Sequence, residues 1–178
     1  MATNASSGAA SSGTSSSGTA SSGTSSSGTS DARPRREGLT EEQQSILRDA
    51  VPGTMLKTPY LSSLGLNFDS YSPDEVTLRL TYREDLTNDG TYYHGGVIAT
   101  VMDTAGAAAA WSNHDFSKGA RASTVSMTVQ YVGAAKKSDL VCHARTVRRG
   151  KELTFTEITA TDEAGVVVAH ALQTYRIV

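Results

Sequence analysis

Residues 92–114, YYHGGVIATVMDTAGAAAAWSNH, constrain the fold of this chain more than any other stretch. From Gly95 to Ser112 the only charged residue is Asp103. Its neighbours are Val97, Ile98, Val101, Met102 and a run of small residues from Ala105 to Ala110. A helix that is apolar around most of its circumference is expected to be buried on more than one side. A sheet can cover one side. The rest of the chain offers little besides one leading helix, so a second subunit is expected to supply part of the cover. Asp103 lies about nine residues into the helix, beyond the reach of N-terminal capping. A carboxylate buried there without a partner costs several kcal/mol, and in an apolar cleft it has the character of a nucleophile or a general base.

The HGG at 94–96 opens the same helix. A helix N-terminus presents unpaired N–H groups and partial positive charge, and glycine there lets a ligand carbonyl approach the backbone. Those are the elements of an oxyanion site, although two glycines also suit a tight turn into a helix. Gly95 and Asp103 are about 12 Å apart along the axis at 1.5 Å per residue. They do not easily serve one carbonyl within one chain. Two antiparallel helices related by a twofold axis bring Gly95 of one copy to Asp103 of the other.

Around this helix the pattern alternates with period two. In EVTLRLTY, Val76, Leu78, Leu80 and Tyr82 oppose Thr77, Arg79 and Thr81, the pattern of a half-buried strand. An earlier strand is expected over 64–70. Four more follow the helix: STVSMTVQYV, with Val125, Met127, Val129 and Tyr131 on one face, then DLVCHARTV, LTFTEITAT and VVVAHALQTYRI. Short gaps between these four imply an antiparallel meander. A leading helix starts at Thr40 as N-cap, with Glu41 and Glu42 in its first turn. It presents Ile46, Leu47 and Ala50 as an apolar stripe and is expected to stop at Pro52-Gly53. The fold class is α+β: one long helix wrapped by one curved antiparallel sheet.

Residues 1–30 are almost wholly Ser, Gly, Thr and Ala in ten-residue repeats without an apolar face, so a flexible tail is expected over 1–38 and the folded domain over 39–178. Arg33, Arg35 and Arg36 beside Asp31 and Glu37 suit solvated charge better than a nucleic-acid arm. A net charge of −2 implies neither nucleic acid nor anionic membrane as a partner. The lone Cys142, the lack of a signal-peptide pattern and the lack of a long apolar run place the chain in the cytoplasm as an expectation. Cys142 shares a strand face with Leu140 and Ala144 and suits core packing. His114, His143 and His170 have no metal-ligand spacing, and no cofactor is called for. No GxSxG elbow is present.

The stretch NDGTYYHGGVIATVMD, 88–103, resembles the signature of hotdog-fold acyl-CoA thioesterases of the phenylacetyl-CoA thioesterase-like (PaaI-type) subfamily, and the resemblance extends over about 55–178. It implies an acyl-CoA substrate and dimers paired into homotetramers. It also implies Asp103 as nucleophile or base and the Gly95 N–H as the group polarising the thioester carbonyl, with Asn88 and His94 supporting that end. The resemblance also implies that Gly96 lies beside the substrate. A Ser or Thr on the strand after the helix is expected near Asp103, with Thr124 preferred over Ser123 or Ser126. Arg148, Arg149 and Lys151 around Gly150 are placed to meet coenzyme A phosphates, although a solvated basic hairpin has the same composition. Tyr92 and Tyr93 are candidates for the acyl slot. The rival readings are an acyl-CoA-binding hotdog domain without turnover and a hotdog dehydratase or hydratase.

Overall fold

A computed structural model describes residues 38–178. The repetitive tail and its arginines lie outside the described residues. Helix α1 (Glu41–Leu56) begins with a reciprocal cap. The Thr40 hydroxyl accepts from the Gln43 N–H, and the Gln43 side chain accepts from the Thr40 N–H. Contrary to the expected stop, α1 continues through Pro52. Proline removes one backbone bond there. The extra turn lets Met55 and Leu56 pack on the core, and that burial outweighs the loss. The stripe of Ile46, Leu47 and Ala50 is exposed rather than docked. The buried residue of α1 is Gln44, whose amide donates to Asp115 and Ser117 and accepts from the Phe116 N–H. A polar latch therefore seats this helix.

A short helix, α2 (Pro59–Leu64), follows with proline at its first position, where the missing N–H costs nothing. Gly65 ends it in the left-handed conformation, φ 72°, which displaces the first strand, β1 (Leu66–Ser72), by two residues from the expected range. Then come β2 (Glu75–Leu80), the long helix α3 (Gly95–Ser112), β3 (Ala122–Tyr131), β4 (Leu140–Arg149), β5 (Leu153–Asp162) and β6 (Val167–Ile177). All pairings are antiparallel, in the order β1-β2-β4-β5-β6-β3. The four-strand meander is thus corrected: only β4, β5 and β6 form one. The connection from β3 to β4 is too long for a tight turn, and β3 lies on the far edge beside β6.

The sheet holds α3 against its inner face. Val76, Leu78 and Leu80 of β2, Leu140, Cys142 and Ala144 of β4, and Ile158 and Ala160 of β5 are fully buried against Val101, Met102, Ala105, Ala108 and Ala109. Each such leucine contributes roughly 1.5–3 kcal/mol by leaving water. Burial pushes the Cys142 thiol up, in keeping with a packing role. Helix α3 is not covered all round. Gly96, Ala99, Thr100 and Asp103 form a partly exposed stripe at helical spacing. Asp103 is therefore half-buried at a cleft and not sealed in the core, which corrects the premise of a fully buried carboxylate.

Candidate active site

The loop before α3 is built from local hydrogen bonds. The Thr87 hydroxyl donates to the Glu84 carbonyl at 2.6 Å and accepts from the Gly90 N–H at 2.8 Å. The Asp89 carboxylate accepts from the N–H groups of Thr91 and Tyr92. Gly90 has φ 77°, a conformation that favours glycine. The Asn88 N–H donates to the Tyr92 carbonyl and the His94 N–H to that of Leu86, so His94 is delivered to the helix start by a closed turn. Asn88 itself is exposed at the rim of this turn.

His94 is the N-cap of α3. Its Nδ1 accepts from the Gly96 N–H at 2.9 Å, which requires that nitrogen to carry no proton. A Cβ on Gly96 would stand 3.0 Å from Nδ1, so glycine there makes room for the cap. Gly96 is thereby committed to His94 through its N–H. The neighbouring Gly95 N–H has no protein acceptor among the described residues, while the Gly95 carbonyl accepts from the Tyr131 hydroxyl at 2.9 Å.

Two turns further on, Asp103 Oδ1 accepts from the Thr124 hydroxyl at 2.7 Å and from the Gln173 amide at 2.6 Å. Thr124 is aimed by a β-bulge. The pairing of β3 with β6 slips between Thr124 and Ser126, so Thr124 and Met127, three residues apart, both face the cleft. Bulges re-aim side chains in this way. The same slip turns Val125 outward to 55% exposure, where simple alternation had grouped it with Met127, Val129 and Tyr131. Gln173 was not singled out from sequence. The available signal was its inward place in β6, a polar residue between Ala171 and Tyr175 in the buried register.

The cleft holds about 470 Å³. Asp103 and Thr124 lie on its wall with Met55, Leu61, Tyr60 and Tyr175. Burial pushes the Tyr175 phenol up, opposed by a hydrogen bond from Trp111 and reinforced by the Asp103 charge. Tyr92 and Tyr93 do not line the cleft: Tyr93 is a core residue edge-on to Tyr82, and Tyr92 lies under Lys136.

The basic hairpin is split in two. Arg149 turns inward and donates to the Ala110 carbonyl at 2.7 Å and to Asp74 at 2.6 Å. Arg148 and Lys151 are exposed beside Gly150, whose N–H closes the turn onto the Leu153 carbonyl. The structure thus brings Asp103 to Thr124 and His94 to Gly96. It leaves Gly95 two turns away from Asp103 and the hairpin at the opposite end of α3.

A long helix wrapped by six antiparallel strands is the hotdog fold of thioester hydrolases. Residues 90–169 match the family model described as the thioesterase superfamily. Human acyl-coenzyme A thioesterase 13 is 31% identical over 139 residues, which are 76% of this chain and 96% of that protein. A thioesterase family protein from Silicibacter pomeroyi has the same fold with a TM-score of 0.65 at 26% identity, over 72% of this chain and 96% of its own. The PaaI protein of E. coli shares the fold with a TM-score of 0.64 at 18% identity, over 76% and 96%. The chain belongs to the thioesterase superfamily and has its hotdog fold.

Proposed function

We propose that the protein hydrolyses the thioester of an aromatic or medium-chain acyl-CoA, releasing the free acid and coenzyme A. The observation that carries this reading is the pair formed by Asp103 with Thr124 at the wall of an apolar cleft. The name of the human relative, an acyl-coenzyme A thioesterase, supplies the substrate class. The Gly95 N–H polarises the thioester carbonyl, and the dipole of α3 favours the negative charge that develops on its oxygen. Asn88 and His94 hold that end of the site. Asp103 acts on the carbonyl carbon, either by direct attack to give an anhydride or by taking a proton from the attacking water. The acyl group lies among Met55, Leu61, Tyr60 and Met127.

The axial separation of Gly95 and Asp103 requires a second copy. The edge strand β3 supports it, since its outer side pairs with no strand among the described residues and the strand carries exposed Val125 and Tyr131. An open apolar edge of this kind favours pairing with another chain. The working form is thus a homodimer, assembled into a dimer of dimers, and its setting is the cytoplasm. Arg148 and Lys151 contact coenzyme A phosphates.

The test is release of free thiol across a panel of aromatic and aliphatic acyl-CoAs, with Asp103→Asn alongside. Wild-type turnover with a kcat loss of roughly 10²–10⁴ in the variant is expected for a missing base or nucleophile. Equal rates in the two proteins would sink the role of Asp103. Turnover of no member of the panel would overturn hydrolysis itself.

A further inference from the structure

Resting on the acyl-CoA hydrolase reading above, we infer that Gln173 is a positioning residue for the Asp103 carboxylate and that Gly106 is the clearance that lets it reach. Gln173 stands on β6 with 2% of its surface exposed, facing α3. A buried amide is tolerated only when its donors and acceptor are met. Its Nε2 donates to Asp103 twice, to Oδ1 at 2.6 Å and to the backbone carbonyl at 3.0 Å. Its Oε1 accepts from the hydroxyl of Thr156 at 3.1 Å, and Thr156 is its direct cross-strand neighbour on β5, 1% exposed. The amide has one stable orientation. Turned over, its oxygen would face two acceptor oxygens of Asp103.

Gly106 is one turn beyond Asp103, on the face of α3 that Gln173 crosses. A Cβ at 106 would lie 2.2 Å from Gln173 Oε1 and 2.8 Å from Thr156 Oγ1, so even alanine drives the amide off the helix. The consequence for the site is an asymmetric carboxylate. Thr124 and Gln173 both donate to Oδ1, while Oδ2 accepts from no group among the described residues. Oδ2 is therefore the oxygen that attacks the thioester or takes the proton from water. Gln173 acts on catalysis through Asp103 and touches no substrate, since it is absent from the cleft wall.

The test compares Gln173→Met, which keeps length but cannot donate, with wild type in the acyl-CoA assay, each alone and combined with Asp103→Asn. Gln173→Met is expected to lower kcat roughly ten- to thirtyfold, as for one charge-assisted hydrogen bond, with KM within twofold. In the Asp103→Asn background it is expected to cause no further loss, because the group it positions is gone. A kcat within twofold of wild type, or a loss that multiplies in full with that of Asp103→Asn, would overturn the inference while leaving hydrolysis intact. Should Gln173→Met fail to fold, Gly106→Ala keeps every polar group and carries the same two expectations. A wild-type protein without turnover overturns the hydrolase reading and this inference with it.

Discussion

At its N-terminal end, α3 leaves the Gly95 N–H without a protein acceptor among the described residues, and its cap is the exposed ring of His94. At its C-terminal end nearly every loose group is claimed. Arg149 reaches the carbonyls of Ala109 and Ala110, the Thr146 hydroxyl adds to the former, and Ser112 accepts from the Asp74 N–H. Asp74 in turn takes Arg149 on one oxygen and Asn113 on the other. A cation at a helix C-terminus is favoured by the dipole. This end also holds Asp74 at φ 65°, a conformation that costs a non-glycine residue of order 1–3 kcal/mol. On the proposed reading, the difference separates work from support. The end assigned to substrate keeps a donor in reserve, and the end that anchors the helix has the carbonyls of Ala109 and Ala110 taken by side-chain donors.

The sharpest way to break that comparison is Arg149→Met. If the C-terminal end is support, unfolding in urea is expected to show a stability loss of about 2–3 kcal/mol, the cost of stranding a partly buried carboxylate and carbonyls. The kcat/KM of the folded enzyme should stay within threefold. A raised KM for acyl-CoA with unchanged stability would move Arg149 to the substrate and erase the contrast. The same end has a pH signature. Burial alone would push the Asp74 carboxyl up, but hydrogen bonds from Arg149 and Asn113 and the guanidinium charge outweigh it and hold Asp74 below the usual carboxylate range. A depressed folded-state value gives stability that is complete above the unfolded value, near 3.9, and fades as pH falls through the folded one. The stability gap between wild type and Asp74→Asn is therefore expected to be flat above about pH 5 and to close in more acidic solution.

The contrast between the two ends was half legible in the sequence. The strand pattern, the helix and the HGG-to-Asp spacing are local or periodic features, and local features survive into the fold. Thr124 was legible as a residue type, but its aim depends on the slip in register beside Val125, and a bulge has no period of its own. Gln173 and Arg149 were hidden for the opposite reason. One sits in a β6 pattern that is otherwise apolar, the other in a hairpin of basic residues, and composition assigned both to their neighbourhood. Their partners Asp103 and Asp74 are 70 and 75 residues away. The expected stop at Pro52 failed because tertiary burial of Met55 and Leu56 overrode a local propensity.

At the other end, His94→Ala tests whether the cap serves folding or the site. Loss of the Nδ1 acceptor leaves the Gly96 N–H to water at a cost of about 1 kcal/mol. Because Gly95 precedes that N–H directly, loosening of the first turn is expected to lower kcat roughly tenfold. Loss of stability without loss of kcat would show that the open N–H does not depend on its neighbour's cap.

The smallest effect is expected at the outward half of the basic hairpin. Arg148 and Lys151 have no ion-pair partner among the described residues, so replacing both with alanine costs little stability. If they meet phosphates across a wet surface, the double variant raises KM for acyl-CoA about two- to fivefold at low salt, with kcat unchanged, and the difference shrinks as salt screens the pair. The check is KM at two ionic strengths for acyl-CoA and for an acyl-pantetheine lacking the nucleotide. The variant should match wild type on the truncated substrate. A loss that persists without the nucleotide would place these cations near the thioester itself, and the two ends of α3 would then share the catalytic work.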